Sequence, residues 1–306
     1  MRRSPTRQRA KGPPGIDNDQ VTERAASRTA ILVCQGRAVA DGRLGVGRFS
    51  DPVATSLLTE EERAQVERAR AGVVPKGFGD RIAYEFLVAT AEVLAARTIA
   101  IDEAVRDTVN PQLVILGAGL DARAWRMPEL AGVSAFEVDH PASQAEKRER
   151  LGEHAPVADV HFVPVDFGKD SLGAALTAAG HDESGPTTWI WEGVVNYLTP
   201  EEVAETVTEV AKRSAPGSRL IVTYPTRDLL YRYGLRAFSA LLSVAAGDSP
   251  LAGEPQRSSW TPAAMAALLS EHGFTVTSDR DLYSIALEAG VDGKRRAGRV
   301  VVAHRG

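Results

Sequence analysis

The sequence predicts an α/β protein: a seven-stranded, mostly parallel, doubly wound sheet with an N-terminal helical extension. Three observations predict this class. From Pro111 onward, short apolar runs alternate with helical stretches, the pattern of a parallel sheet with right-handed crossovers. From about residue 17 to 104 the apolar spacing is helical, with few β-branched runs and no turn pairs suggesting hairpins. The chain has 306 residues, enough for one α/β domain with additions.

Residues 1–16 are basic and proline-rich and read as a flexible tail. Arg2 and Arg3 suggest an export signal, but no apolar region follows them, so that reading is rejected. Residues 17–306 read as a single domain, helical over 17–110 and α/β over 111–306. In the helical part, Thr59 stands three residues before Glu62 and forms a capping box at the head of TEEERAQVERAR. A long helix is expected around residues 81–105, and glycine-rich breaks fall at 36–47 and 72–79.

The expected strands are QLVILG (112–117), VSAFEVD (133–139), VHFVPVD (160–166), TTWIWEG (187–193) and SRLIVTY (218–224). Between the last two lies PEEVAETVTEVAKRS. There Thr199, Pro200 and Glu202 supply an N-cap, a first-turn proline and a capping-box acid, and Val203, Val207, Val210 and Ala211 share one face. After Tyr224 the regularity lapses over 225–260, which reads as an insertion able to lid a site. Its Tyr231, Tyr233 and Phe238, with Trp260, suit an apolar small molecule, although ordinary helix packing explains them as well. FTVTSD and RVVVAHR read as a closing strand pair, antiparallel because the link between them is short for a crossover helix.

Composition narrows function by exclusion. Hydrophobic content of 43%, charged content of 25% and a net charge of −4 are ordinary for a soluble protein and give no bulk attraction to nucleic acid or anionic membrane. No stretch approaches the roughly 18 apolar residues of a membrane span. The single cysteine, Cys34, rules out a disulfide framework within the chain and fits a reducing, cytoplasmic setting. Its apolar surroundings make it a packed small side chain. No metal site is expected.

The chemistry sits in VILGAGLDARAWRM, residues 114–127. Gly117-Ala118-Gly119 falls where the first strand meets the first helix of the sheet, the place where open α/β sheets bind ligands. Asp139 ends the second strand twenty residues beyond Gly119, the usual spacing to a carboxylate that grips a ribose diol. Turn and acid together indicate an adenosine-type ligand. Gly117, Gly119 and Ala122 also satisfy the dinucleotide pattern G-x-G-x-x-A, so a nicotinamide-dependent oxidoreductase stays open at this point, as does a structural turn. The long helical stretch before the strand favours S-adenosylmethionine, since dinucleotide domains often begin with the strand.

Five blocks in order then resemble the leucine carboxyl methyltransferase family, in its bacterial branch of S-adenosylmethionine-dependent methyltransferases. They are ARTIAID (96–102), LGAGLDARAWRM (116–127), FEVDHP (136–141) with Lys147 beyond, VPVDF (163–167) and WEGVVNYLTP (191–200). The resemblance implies the class I methyltransferase sheet, S-adenosyl-L-methionine as cofactor, and methyl transfer, with O-methylation of a small metabolite as the preferred reading. A non-catalytic S-adenosylmethionine-binding protein is the other alternative. The resemblance implies that Arg97 pairs with the cofactor's carboxylate, for which a guanidinium suits better than an ammonium. It gives Gly117, Ala118 and Gly119 to the methionine portion, Asp139 to the ribose, Asp166 and Phe167 to the adenine, and Glu192 to a further cofactor contact. Phe167 departs slightly from the family, which often has leucine there. Asp121, Arg123 and Arg126 read as a brace for the loop.

Methyl transfer from a sulfonium mainly requires alignment, and a carboxylate acceptor needs no base. None of the six histidines falls in a recognised catalytic motif, so no catalytic residue is assigned. Asn196, Tyr197 and Tyr224, after the fourth and fifth strands, are the candidate acceptor contacts. The expected partner is a small-molecule acceptor, not nucleic acid or membrane.

Overall fold

The computed structural model describes residues 18–226, 257–291 and 298–306, with side chains from residue 29 onward. Its seven strands are β1 (Gln112–Leu116), β2 (Ser134–Asp139), β3 (Asp159–Pro164), β4 (Thr187–Trp191), β5 (Arg219–Tyr224), β6 (Phe274–Asp281) and β7 (Arg299–Arg305). They form one sheet in the order β3-β2-β1-β4-β5-β7-β6. The first five are parallel, and β7 lies antiparallel between β5 and β6. The chain winds outward from β1 to β3, then returns to place β4 on the other side of β1. The switch point is therefore the cleft between the carboxyl ends of β1 and β4.

The helices are α1 (Asn18–Ala40), α2 (Glu60–Ala71), α3 (Phe78–Asp107), α4 (Arg123–Arg126), α5 (Pro141–Leu151), α6 (Leu172–Ala178), α7 (Pro200–Lys212), α8 (Pro262–Glu271) and α9 (Leu282–Glu288). Both expected capping boxes form: Thr59 with Glu62 on α2, and Thr199 with Glu202 on α7. Each reciprocally satisfies two backbone donors that a helix start leaves open.

Strand alternation divides the core in two. Leu113 and Ile115 of β1, with Ile190 and Ile221, face the helical layer of α1, α3 and α9. Val114 and Leu116, with Trp189 and Trp191, face α7 and α8. Leu113, Ile115 and Trp189 are almost completely buried. Truncating one such side chain to alanine costs about 2–5 kcal/mol.

Two sequence expectations are corrected. β3 stops at Pro164, so Asp166 and Phe167 belong to the following loop rather than to the strand end. The link between β6 and β7 does contain a helix, the seven-residue α9, but it packs on α3 and the strands pair antiparallel as expected. Of the expected lid, Tyr231, Tyr233 and Phe238 lie outside the described residues, as does the tail 1–16. The chain on either side of residues 227–256 is tied together, since Thr226 bridges to Trp260 and the Trp260 N–H donates to the Pro225 carbonyl at 3.0 Å.

Candidate functional site

The glycine turn closes β1 at the switch point. Gly117 and Gly119 have φ of +66° and +47°, the left-handed region that favours glycine. A Cβ on Gly117 would lie 2.6 Å from Val194 Cγ2, and one on Gly119 would lie 3.2 Å from Ala30 Cβ on α1. Both glycines thus let chain after β4 and chain of α1 close onto the turn. The N–H groups of Gly117 and Ala118 donate to the Val138 carbonyl at 2.8 and 3.1 Å. The Gly119 N–H donates to the Asp139 carboxylate, and the His140 N–H donates to Asp139 Oδ1 at 2.7 Å. Asp139 is half-buried, and a carboxylate accepting two N–H groups keeps lone pairs for a diol.

Arg97 reaches the opposite side of the cleft from the middle of α3. Its Nε donates to Glu192 Oε1 at 2.6 Å, and Glu192 follows β4 directly. Among the described residues this is the only side-chain hydrogen bond of Arg97, so the Nη edge of the guanidinium is not committed within them. Gly193 (φ +73°) lies against that edge, where a Cβ would come to 3.7 Å from Nη1.

Behind Arg97 lies a buried ionic network. Arg123 Nη1 donates to Glu192 Oε2 at 2.8 Å, and its Nε donates to Asp102 Oδ1 at 2.8 Å. Arg126 grips the same Asp102 carboxylate through Nη1 and Nη2 at 2.7 and 2.9 Å. Arg123 also holds the Asp121 carboxylate, which accepts the Arg123 N–H at 2.7 Å. Arg37 of α1 donates to Asp51 at 2.8 Å and to the Leu120 carbonyl at 2.6 Å. Lys147 donates to both Glu137 oxygens at 2.7 and 2.6 Å, and to the Asp121 carbonyl at 2.6 Å.

Burial alone would raise the Glu192 and Asp102 carboxyls. The facing guanidiniums outweigh it and hold both below the usual carboxylate range: Arg97 and Arg123 for Glu192, Arg126 and Arg123 for Asp102. At Glu137 burial prevails over Lys147 and pushes the carboxyl up to about 7.

The other sequence candidates divide. Asp166 keeps its carboxylate on the Gly168 N–H at 3.0 Å and on Lys169 Nζ at 2.7 Å, which hold it below its ordinary value, while Phe167 stands exposed beside it. Asn196 and Tyr197 lie on the single 3-10 turn after Glu192, at the cleft. The Asn196 carbonyl accepts the Arg257 N–H at 2.8 Å, bringing the chain after residue 256 alongside. Tyr224 is corrected: it is buried, and its hydroxyl donates to Asp279 Oδ2 at 2.6 Å, so it is a packing residue.

Arg37 and Asp51 had no place in the sequence reading, and Asp102, Glu137 and Lys147 appeared there without a role. Arg37 meets Leu120 across 83 positions, for which no local pattern exists. A cavity of about 370 Å³ lies between α1, α2 and α3, lined in part by Ile31, Gln35, Tyr84 and Leu87. None of its lining residues belongs to the glycine turn. Among the described residues no helix is long and apolar enough to cross a membrane, and no group of three or more His, Cys, Asp and Glu could hold a metal ion.

The family model described as Leucine carboxyl methyltransferase matches residues 30–211, from α1 through most of α7, and includes Arg97, the glycine turn, Asp139 and Glu192. The chain belongs to the leucine carboxyl methyltransferase family. A relative from Mycobacterium avium (strain 104), named provisionally as an S-adenosyl-L-methionine-dependent methyltransferase, is 35% identical over 218 residues, 67% of this chain and 67% of the relative. Another of that name, from Mycobacterium sp. strain JLS, is 43% identical over 138 residues, 43% of this chain and 44% of the relative. The match to that protein therefore spans under half its length. Among solved structures, a DUF574 family protein from Streptomyces avermitilis has a TM-score of 0.55 at 14% identity, covering 89% of this chain and 97% of that one, which shows a shared fold. The dinucleotide reading of the glycine turn finds no support in these matches.

Proposed function

We propose that this leucine carboxyl methyltransferase family member uses S-adenosyl-L-methionine to methylate an oxygen, carboxyl or hydroxyl, of a small metabolite in the cytoplasm. One observation carries the reading: the glycine turn lies between Arg97, a guanidinium whose Nη edge is uncommitted among the described residues, and a half-buried carboxylate, Asp139. These are the two groups needed for the two polar ends of the cofactor, its carboxylate and its ribose. Gly117, Ala118 and Gly119 pass the methionine portion without a side chain between. Asp166 and Phe167, in the loop after β3, take the adenine end, and Glu192 takes the amino group beside Arg97.

The cofactor supplies an already activated methyl group. The chain's own residues bind and align, and they exclude water from the cleft. Asn196 and Tyr197 take the acceptor side, and Arg257 and Ser258 bond to the same turn, through the Asn196 and Val195 carbonyls at 2.8 Å. Among the described residues no histidine adjoins the glycine turn in the manner of a base. His140 caps α5 and accepts from the Ala142 N–H at 3.2 Å. That is compatible with an acceptor already ionised at neutral pH, such as a carboxylate. The single buried Cys34, its thiol pushed up to about 11 by burial, supports the cytoplasmic setting.

The test is incubation of the protein and labelled S-adenosylmethionine with a metabolite extract, with mass detection of products heavier by one CH₂. A base-labile labelled product is a methyl ester and a base-stable one an ether. Folded protein that binds no S-adenosylhomocysteine in calorimetry overturns the proposal.

A further inference from the structure

Arg97 is held by a relay that begins five residues further along its own helix. Asp102 is fully buried and receives Arg123 Nε at 2.8 Å. Arg123, 2% exposed, spans from there to Glu192 Oε2 at 2.8 Å, and Glu192 Oε1 receives Arg97 Nε at 2.6 Å. The circuit thus runs from α3 through α4 and the chain after β4, and back to α3. Three physical points give it a purpose beyond packing.

First, among the described residues Arg97 is anchored through Nε, which leaves its Nη edge as a ready two-pronged donor. Second, an arginine on a flexible stem otherwise loses rotamer entropy on binding, and prior anchoring removes that loss. Third, Glu192 can hold Arg97 only if its carboxylate is itself fixed, and Arg123 is the group on its second oxygen. Arg123 is too deeply buried to meet a ligand in the cleft.

We propose that Arg123 is a positioning residue for the amino-acid end of the methyl donor, acting through Glu192 on Arg97. The inference rests on the cofactor reading given above and adds to it a specific buried residue. Lysine at 123 keeps the charge but lacks the planar fork whose separate nitrogens, Nε and Nη1, fix Asp102 and Glu192 in one geometry.

Two ligands separate the roles. S-adenosylhomocysteine carries the amino-acid carboxylate. 5′-Methylthioadenosine shares the adenosine and thioether but lacks that end. Calorimetric affinities are measured for the wild type, Arg123→Lys, Asp102→Asn, Arg97→Ala and the Arg97→Ala/Arg123→Lys pair. Arg123→Lys is expected to bind S-adenosylhomocysteine about tenfold more weakly, the loss of one well-oriented charge-assisted hydrogen bond. Its affinity for 5′-methylthioadenosine should stay at the wild-type value. Asp102→Asn should show the same selective loss to a smaller degree, which keeps the test decisive where Arg123→Lys folds poorly. On top of Arg97→Ala, Arg123→Lys should add no further loss. Unchanged S-adenosylhomocysteine affinity in both single variants overturns the proposal, as does an equal loss for both ligands. A wild type that binds neither ligand overturns the cofactor reading itself. A wild type that binds both with equal strength overturns the carboxylate role of Arg97.

Discussion

The Gly119 N–H donates to the Asp139 carboxylate, so the turn after β1 and the end of β2 are one unit. Asp139 therefore shapes the glycine turn and offers its remaining lone pairs to a ribose. Asp139→Ala removes both, and S-adenosylhomocysteine affinity should fall by about 2 kcal/mol or more, the loss of hydrogen bonds to a charged group. Asp139→Asn should lose less, since its amide oxygen can still accept. Calorimetry on the two variants checks the order, and equal affinity of Asp139→Ala and wild type would show that the ribose sits elsewhere.

Gly117→Ala joins two penalties. The residue has φ of +66°, and its new Cβ would stand 2.6 Å from Val194 Cγ2. The backbone term alone is about 1–3 kcal/mol, and the chain after β4 must also shift. Lower thermal stability and weaker cofactor binding are expected together. Adding Val194→Ala should relieve the contact but not the backbone conformation, so thermal stability should recover only in part.

Much of this was legible in the sequence because it is local. The seven strands follow from apolar runs and glycine closures, and the two capping boxes from a threonine and a glutamate three apart. Gly119 and Asp139 could be joined because strand and crossover lengths fix such a spacing. What was not legible is set by tertiary contact. That Tyr224 spends its hydroxyl on Asp279 depends on β7 and β6 standing beyond β5. That Arg37 braces Leu120 depends on α1 lying over the turn, and amphipathic pattern says only that a helix is present, not which loop it crosses. The end of β3 was misplaced by two residues because Val165 and Asp166 continue its alternation after the ladder stops.

Lys147 and Glu137 pair while both are almost completely buried, at 2.6 and 2.7 Å. Lys147→Met leaves a buried carboxyl without its cation and removes a donor to the Asp121 carbonyl. Breaking such a pair from one side costs about 3–5 kcal/mol. Lys147→Met/Glu137→Gln removes the buried charge as well and should recover part of that loss. Denaturant unfolding of both variants measures the difference, and a double variant no more stable than Lys147→Met would show that the Asp121 contact carries the whole effect.

His181 sets a pH dependence of known sign. It is 5% exposed, lies against Phe136 and Trp189, and shares a 3.1 Å hydrogen bond with Thr187 through Nε2. Burial, with the Arg213 charge second, lowers its pKa to about 4 from the ordinary 6.5. The folded state therefore binds this proton less readily than the unfolded chain does. The His181 contribution is fully present above about 6.5 and is lost as pH falls toward 4, with a full span of about 2–3 kcal/mol. His181→Gln removes that titration. Unfolding free energies at pH 7.5, 5.5 and 4.5 should show the wild type losing stability relative to His181→Gln at each step down, about 1–2 kcal/mol by the last. A constant difference across the series would mean that His181 keeps its ordinary pKa in the folded protein.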